Sequence, residues 1–449
     1  AKACHANMAS RAKKRLNAEF PGTFQLYGQT YDAVAWAAAH PGGRAVIESV
    51  TCIDEVVAER IFETSHRYPA KNLAVLAPYA VKTDSPKSVV TQTPTPSVKE
   101  DPFFEHVKSE VYAFLAQQNP RNPRGQGQAR ALAKCALFAG TWAGLVVGAV
   151  FAPWPVLTSF LAGFVLLSWG FVQFHDSSHF AYAGGLSVNR LLTHSWCACS
   201  YWPPWLWHRH HVELHHGCAG DYERDPDLRH GAPFMRKTEK APKERYLGLS
   251  ACLQILAMAV APGMYLGQTI HYATVRFGLR RALWKMQNLF PPPSDETKLA
   301  FWQLSVWFPL WVVFFTHRRG PLTALCCAFA FFAGANVVYA ANILPDHDTV
   351  LSHKNLASLS GSSSWAAKQV AASANWAGPV WCFLFGGLNY QIEHHLFPRV
   401  HHSYYPLIAP IVQRACLRFH VPYVHYPSFL EAALAVHRQL CVASEEASS

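Results

Sequence analysis

The sequence predicts a mainly α membrane protein preceded by a small soluble segment, and three observations predict it. Apolar residues make up 51% of the 449 and charged residues only 15%, against about 25% charged in soluble proteins. The apolar residues gather in runs near the length that crosses a bilayer. Three histidine clusters lie beside those runs, His175-Asp-Ser-Ser-His179, His211-Val-Glu-Leu-His215-His216 and Gln391-Ile-Glu-His394-His395. The chain is longer than one hydrophobic core usually supports, so two domains are expected.

The net charge of +11 does not predict a nucleic-acid partner. Lys and Arg concentrate beside the apolar runs, where they face anionic headgroups, so membrane lipids are the expected partner. The twelve cysteines form no CxxC pair. Cys135, Cys326, Cys327 and Cys382 lie inside apolar stretches and read as reduced packing residues. The start of the chain is polar and basic, so no secretory signal is expected.

Residues 20 to 75 are soluble in character. Their most specific feature is His40-Pro-Gly-Gly43, preceded by Leu26-Tyr-Gly-Gln-Thr-Tyr-Asp32 and followed by His66. Pro-Gly pairs form turns readily, so a plain surface turn is the bland alternative. The stretch resembles the cytochrome b5 heme-binding domain, with Tyr31-Asp32, Asp54 and Phe62 as further matches. Thr51-Cys-Ile-Asp-Glu55 departs from the sequence common after HPGG. The resemblance implies a small α+β domain over residues 17–75 in which His40 and His66 hold heme b. Two axial imidazoles leave the iron no open position, which suits an electron carrier.

Residues 76–101 are rich in Pro, Ser and Thr and read as a semi-rigid linker. From Pro102 to Gln118, Phe103, Phe104, Val107, Val111, Phe114 and Leu115 form a helical stripe. This helix is expected to lie along the membrane surface. Apolar runs at 134–152 and 155–174, separated by Pro153-Trp-Pro155, predict a transmembrane hairpin that leaves the first cluster at its exit. Residues 186–207 are broken by Asn189, Arg190, His194 and Pro203-Pro204, as an interfacial helix would be, so the second cluster stays on the same side.

Apolar stretches at 247–270, 300–316 and 321–343 precede the third cluster. One site built from all three clusters requires an even number of crossings here. The first stretch, interrupted by Gln254, Pro262 and Gln268, is the expected exception, which gives four transmembrane helices. Basic residues in 121–134 and 224–285 place those loops in the cytosol, with His317-Arg318-Arg319 as a contrary signal.

Imidazole binds iron, zinc, copper or nickel, and the i, i+4 spacing of the first cluster puts two rings on one helical face. Among 24 histidines some neighbours arise by chance, and His5, His230, His353 and His437 read as bystanders. Repeated histidines at membrane helix ends are costly unless they bind something.

The HxxxH, HxxxHH and QxxHH boxes resemble those of membrane fatty acid desaturases. The glutamine that opens the third box is typical of the front-end type, which carries a fused cytochrome b5 domain. Gly386-Gly-Leu-Asn-Tyr-Gln-Ile-Glu-His-His-Leu-Phe-Pro398 is a long match, and Asp225-Pro-Asp227 also fits. The resemblance implies a desaturase domain over 102–435, followed by a tail over 436–449. It implies that His175, His179, His211, His215, His216, His394 and His395 ligate two non-heme irons, with Gln391 nearby. The family's Asn, often followed by His, in the last span corresponds to Asn342, but Ile343 follows it and the nearest histidine is His347. His347 is therefore the expected remaining ligand. His208 and His210 are read as alternative ligands, outer residues or plain surface histidines.

The implied reaction inserts a cis double bond into a polyunsaturated long-chain fatty acyl group with O2. The metal supplies the reactivity and the protein the positioning. Electrons are expected from NADH-cytochrome b5 reductase through the tethered heme domain. The substrate is fatty acyl-CoA or a phospholipid-bound acyl chain. The second box, with three residues between its histidines, resembles that of euglenoid and kinetoplastid enzymes acting on long polyunsaturated chains, and this resemblance implies delta-4 or delta-5 over delta-6. The implied location is the endoplasmic reticulum, with histidine boxes and both termini cytosolic. A sphingoid long-chain base desaturase, a fatty acyl hydroxylase and a histidine-rich metal transporter are the rivals.

Overall fold

The computed structural model describes residues 22–51, 55–66, 69–81, 101–118, 128–200, 207–229, 231–260 and 320–445. The first of these begins with a β-hairpin in which Thr23–Leu26 pairs antiparallel with Gln29–Asp32. Tyr27 and Gly28 both have positive φ, 52° and 74°, the conformation of a two-residue hairpin turn whose twist matches the strands. Asp32 then caps the helix Ala33–Ala39, its Oδ1 accepting from the backbone N–H groups of Val34 and Ala35. Helices Arg44–Val50, Glu55–Ser65 and Pro69–Leu76 complete the module. Phe24, Leu26, Tyr31, Ala37, Ile47, Ala58 and Leu76 form its core.

The chain leaves this module later than the sequence suggests. Leu76 is buried in the core, Ala80 bridges Tyr31, and the Val81 N–H donates to Thr30 O at 2.9 Å. Residues 76–81 therefore pack with the module, because Leu76 and Tyr79 supply apolar cover that a Pro/Ser/Thr composition count overlooks.

Three helices among the described residues are long and apolar enough to cross a membrane: Ala129–Phe151, Pro155–Ser178, and a third whose main stretch is Pro321–His347. They coincide with three of the four expected spans. The expected span at 300–316 lies outside the described residues, as does the end of the 247–270 stretch. What is described of the latter, Ala251–Val260, has 10 residues and would extend only about 15 Å, roughly half a bilayer core. The second and third spans cross at Gly163 and Gly334. A Cβ on Gly163 would overlap the Phe331 carbonyl, and one on Gly334 would overlap the Phe160 carbonyl. A π-helical turn, Leu166–Gly170, lies inside the second span and rotates the residues that follow it relative to those before.

The helix Pro102–Gln118 corrects an expectation. Its stripe does not lie on lipid: Phe103, Phe104, Val107, Val111 and Leu115 are all buried, packed with Ile408, Val412 and Ala415 of helix Tyr405–Arg418. An apolar stripe reveals only that something apolar covers it. Asp101 fixes this packing by capping two helices at once. It accepts from the Phe104 N–H at 3.1 Å and, across the fold, from Ser364 Oγ and the Ala366 N–H, the start of helix Trp365–Ala371.

The expected tail is also structural. Residues 436–445 belong to helix Phe429–Glu445, whose Val436, Leu440 and Ala443 are buried. Val436 and Leu440 join the same core as Phe331 and Val338 of the third span.

Candidate metal centre

The first histidine box ends the second span. His175 sits in its last turn and His179 at its C-cap, with ring centres 5.1 Å apart on the predicted common face. The second box lies in a π-helical stretch, His208–His215, that continues into a short turn at His216–Cys218. A π-helical turn closes with i→i+5 hydrogen bonds. It brings His211 and His216 to one side and turns His215 to another. The third box forms the short helix Gln391–Leu396, where His394 and His395 are consecutive and diverge by the ~100° step of a helix.

The three boxes thereby converge into two adjoining groups. In one, the ligand atoms of His175, His179, His211, His216 and His394 all lie within 4.8 Å of one another. In the other, His215, His347 and His395 do the same. Both consecutive pairs are split between the groups, and the His216 and His395 rings stack at 4.4 Å where the groups meet.

His175 Nε2 is 3.0 Å from His211 Nε2, which is 3.3 Å from His216 Nε2. In the second group His347 Nε2 and His395 Nε2 are 3.1 Å apart. Nitrogens at these separations are spaced as neighbours around one ion when each metal–nitrogen bond is about 2.1 Å. The buried Nε2 atoms of His179 and His394 have no hydrogen-bond partner among the described residues. Orphaned buried nitrogens of this kind are what an ion would satisfy.

Gln391 belongs to the second group. Its Nε2 lies 2.9 Å from His347 Nε2 and 3.3 Å from His395 Nε2, while its buried Oε1 has no partner among the described residues. Turning the amide end for end keeps its shape and aims the oxygen inward. Asn342 is buried one turn before His347, with its Nδ2 donating to Val338 O at 2.8 Å.

The far side of the rings is held as firmly as the near side. His215 Nδ1 faces Asp225 Oδ1 at 3.1 Å and Asp227 Oδ2 at 3.3 Å. His347 Nδ1 reaches Ala372 O at 2.9 Å, His395 Nδ1 reaches Gln369 Oε1 at 2.7 Å, and His394 Nδ1 reaches the Tyr405 hydroxyl at 3.1 Å. Asp176 stands 3.4 Å from His175 Nδ1 and 2.6 Å from His402 Nδ1. Anchoring Nδ1 in this way fixes the tautomer and leaves Nε2 to coordinate. Burial, then the neighbouring imidazoles, pushes His211, His216, His394 and His395 well below the usual histidine range, so they are neutral and their lone pairs are free. His215 is the exception. Burial lowers it, but the Asp227 and Asp225 carboxylates outweigh burial and raise it to about 9.

His208 and His210 stand outside both groups. His210 bonds Asp227, behind His215, and His208 is buried beside a cavity. Sequence reasoning did not assign Asp176, Gln369, Tyr405 or His402. The Asp that follows His175 was the available signal for the first; the others come from distant segments and carry none.

His40 and His66 also come together. Their ring centres are 6.4 Å apart, the spacing of two imidazoles on opposite sides of one metal bound at about 2 Å each. His66 Nδ1 is held by Phe62 O at 2.8 Å. Burial pushes His40 down to about 4, which keeps it neutral. A cavity of about 320 Å³ opens between them, lined by Phe24, Leu26, Ile47, Ala58 and Leu76. These residues fit a flat apolar prosthetic group held by two imidazoles.

An α-helical membrane fold whose helix ends gather eight imidazoles into two adjoining groups is built as a membrane enzyme able to hold metal. The fatty acid desaturase family model matches residues 151–427, more than half of the chain. This protein belongs to the fatty acid desaturase family and is an oxidoreductase. It is 28% identical over 414 residues to an acyl-lipid (7-3)-desaturase of Rebecca salina, covering 89% of this chain and 85% of that one. It is 28% identical over 439 residues to an acyl-lipid (8-3)-desaturase of Physcomitrium patens, covering 91% and 85%. Over 320 residues it is 27% identical to an sn-1 linoleoyl-lipid 6-desaturase of Synechocystis, covering 67% and 83%. No solved structure matches the chain.

Proposed function

We propose that this protein desaturates a lipid-bound polyunsaturated acyl chain, at the delta-4 or delta-5 position, with two irons held by the histidine groups. The observation that carries the reading is the convergence of eight imidazoles, seven of them buried and that of His347 half-buried, with Gln391. His175, His179, His211, His216 and His394 would hold one iron, and His215, His347, His395 and Gln391 the other. Iron bound there supplies the activation of O2 for removing hydrogen from an unactivated methylene.

The residues of the chain have their own work. Asp225, Asp227, Gln369 and the Ala372 carbonyl hold protons on Nδ1 of His215, His395 and His347, so each Nε2 faces the metal. Burial of most of these groups, His215, His395, Asp225 and Gln369 among them, would keep water from the reacting carbon. The preference for delta-4 or delta-5 rests on the resemblance of the second box to that of enzymes acting on long polyunsaturated chains, and the lipid-bound substrate on the names of the relatives.

We further propose that His40 and His66 hold heme b in a cytochrome b5-like domain, joined by a linker to a desaturase domain that begins near Asp101. NADH-cytochrome b5 reductase would supply its electrons, in the endoplasmic reticulum membrane with both termini cytosolic. The supporting observation is the 6.4 Å ring separation across an apolar cavity.

Expression in yeast with C18 to C22 polyunsaturated acids tests the first proposal, read by mass spectrometry of double-bond position. Absence of any new double bond would overturn it. His40→Ala should abolish the heme absorption band and the activity while leaving iron bound; an unchanged band would overturn the heme assignment.

A further inference from the structure

The amino-terminal module does not stand apart from the metal centre. Gly42 of the HPGG turn lies where an added Cβ would be 3.4 Å from Phe180 Cζ. A Cβ on Gly217 would be 4.0 Å from Val57 Cβ and 2.7 Å from its Cγ1. Arg399 donates to the carbonyl of Ser65. Each partner on the membrane domain is close in sequence to a box histidine: Phe180 follows His179, Gly217 follows His216, and Arg399 comes four residues after His395. Each partner on the module is equally close to His40 or His66, or lies on the helix that leads to His66. The cavity that His40 and His66 line is lined also by His179, His216 and His395.

Phe180 is the shortest of these bridges. It holds a left-handed backbone, φ 59°, a conformation that costs energy for a side-chain-bearing residue and persists only when its surroundings impose it. That backbone turns its ring off the end of the first box and onto the HPGG turn, where the Arg399 guanidinium lies 5.6 Å from the ring centre.

We infer that the amino-terminal module is seated on the metal centre through a fixed interface, and that Phe180 is the positioning residue that couples the HPGG side to the first histidine box. The inference deepens the heme assignment above and rests on it for the electron-transfer part alone. With heme held by His40 and His66 and iron by the histidine groups, this contact would lie on the path along which the heme would supply single electrons to the iron, each oxidising the heme by one electron and reducing the iron by one, with no bond or proton exchanged.

Two measurements on the full-length protein in lipid nanodiscs test this. The double variant Val57→Cys/Gly217→Cys should form a disulfide under mild oxidation, because a Cβ separation of 4.0 Å falls within the bridging range. Peptide mass spectrometry would detect it, and failure to form it would overturn the docked interface whatever binds at His40. The second measurement reduces the heme by a laser flash, anaerobically and without substrate, and follows loss of the ferrous band. Phe180→Leu should slow that loss about tenfold or more, because small misplacements across a contact are costly. Phe180→Tyr should restore it, with the resting heme band and iron content unchanged in both. An unaltered rate in Phe180→Leu would overturn the role of Phe180. Absence of a His40-dependent heme band in the parent protein would instead overturn the heme assignment, leaving the disulfide to report on docking.

Discussion

Gly163 and Gly334 meet where the second and third spans cross, each occupying a position at which a Cβ would overlap a backbone carbonyl of the other helix. Small residues at such a crossing let the two backbones approach and gain dispersion contacts that lipid cannot offer. Gly163→Ala and Gly334→Ala should each destabilise the protein by about 1–3 kcal/mol or more, as overpacking does. Gly144→Ala, in open space on the first span, should leave it unchanged. Thermal unfolding in detergent compares the three, and equal midpoints would refute the packing role.

Asp101 predicts a second stability effect. One buried carboxylate serves the starts of two helices far apart in sequence. Asp101→Ala leaves the Phe104 and Ala366 N–H groups and the Ser364 hydroxyl short of an acceptor. The loss of a cap and of a buried charged acceptor should total about 2–4 kcal/mol. The melting temperature measures it, and Asp101→Asn should fall in between.

His347 separates a ligand from a bystander by chemistry. His347→Ala removes one of three imidazoles from the second group and should reduce bound iron to about half, since each ion needs its full donor set, with desaturation falling below detection. His353→Ala, whose ring is 4.0 Å from Asp348 and in neither group, should keep both. Iron analysis of purified protein reads the difference; an equal iron content in the two variants would remove His347 from the centre.

Asp225 meets the metal group only through the back of the His215 ring, while also accepting from the Gly220 and Asp227 N–H groups, so its loss should weaken the metal rather than abolish the site. Asp225→Asn should lower iron affinity about 10–100-fold, the usual cost of removing such a partner. A chelator titration of the iron-loaded protein gives the shift directly, and an unshifted curve would show that Asp227 alone orients His215.

What the sequence made legible was whatever periodicity and spacing encode. The run at 155–174 falls inside a continuous span, and the i, i+4 histidines of the first box share a face. The second box was less readable, because α-helical periodicity pairs His211 with His215, whereas the π-helical turn groups His211 with His216. Which surface covers an apolar stripe was not readable either, as the helix Pro102–Gln118 demonstrates by burying its stripe on protein. His347 was reachable only as the nearest histidine to Asn342. The partners behind the rings, Gln369, Tyr405 and His402, meet them only through the folded chain.

The π-helical turn has one more consequence. His215 and His216, adjacent in the chain, serve different groups, and His394 and His395 repeat the arrangement. A one-residue slip of either segment would therefore misdirect donors on both sides simultaneously.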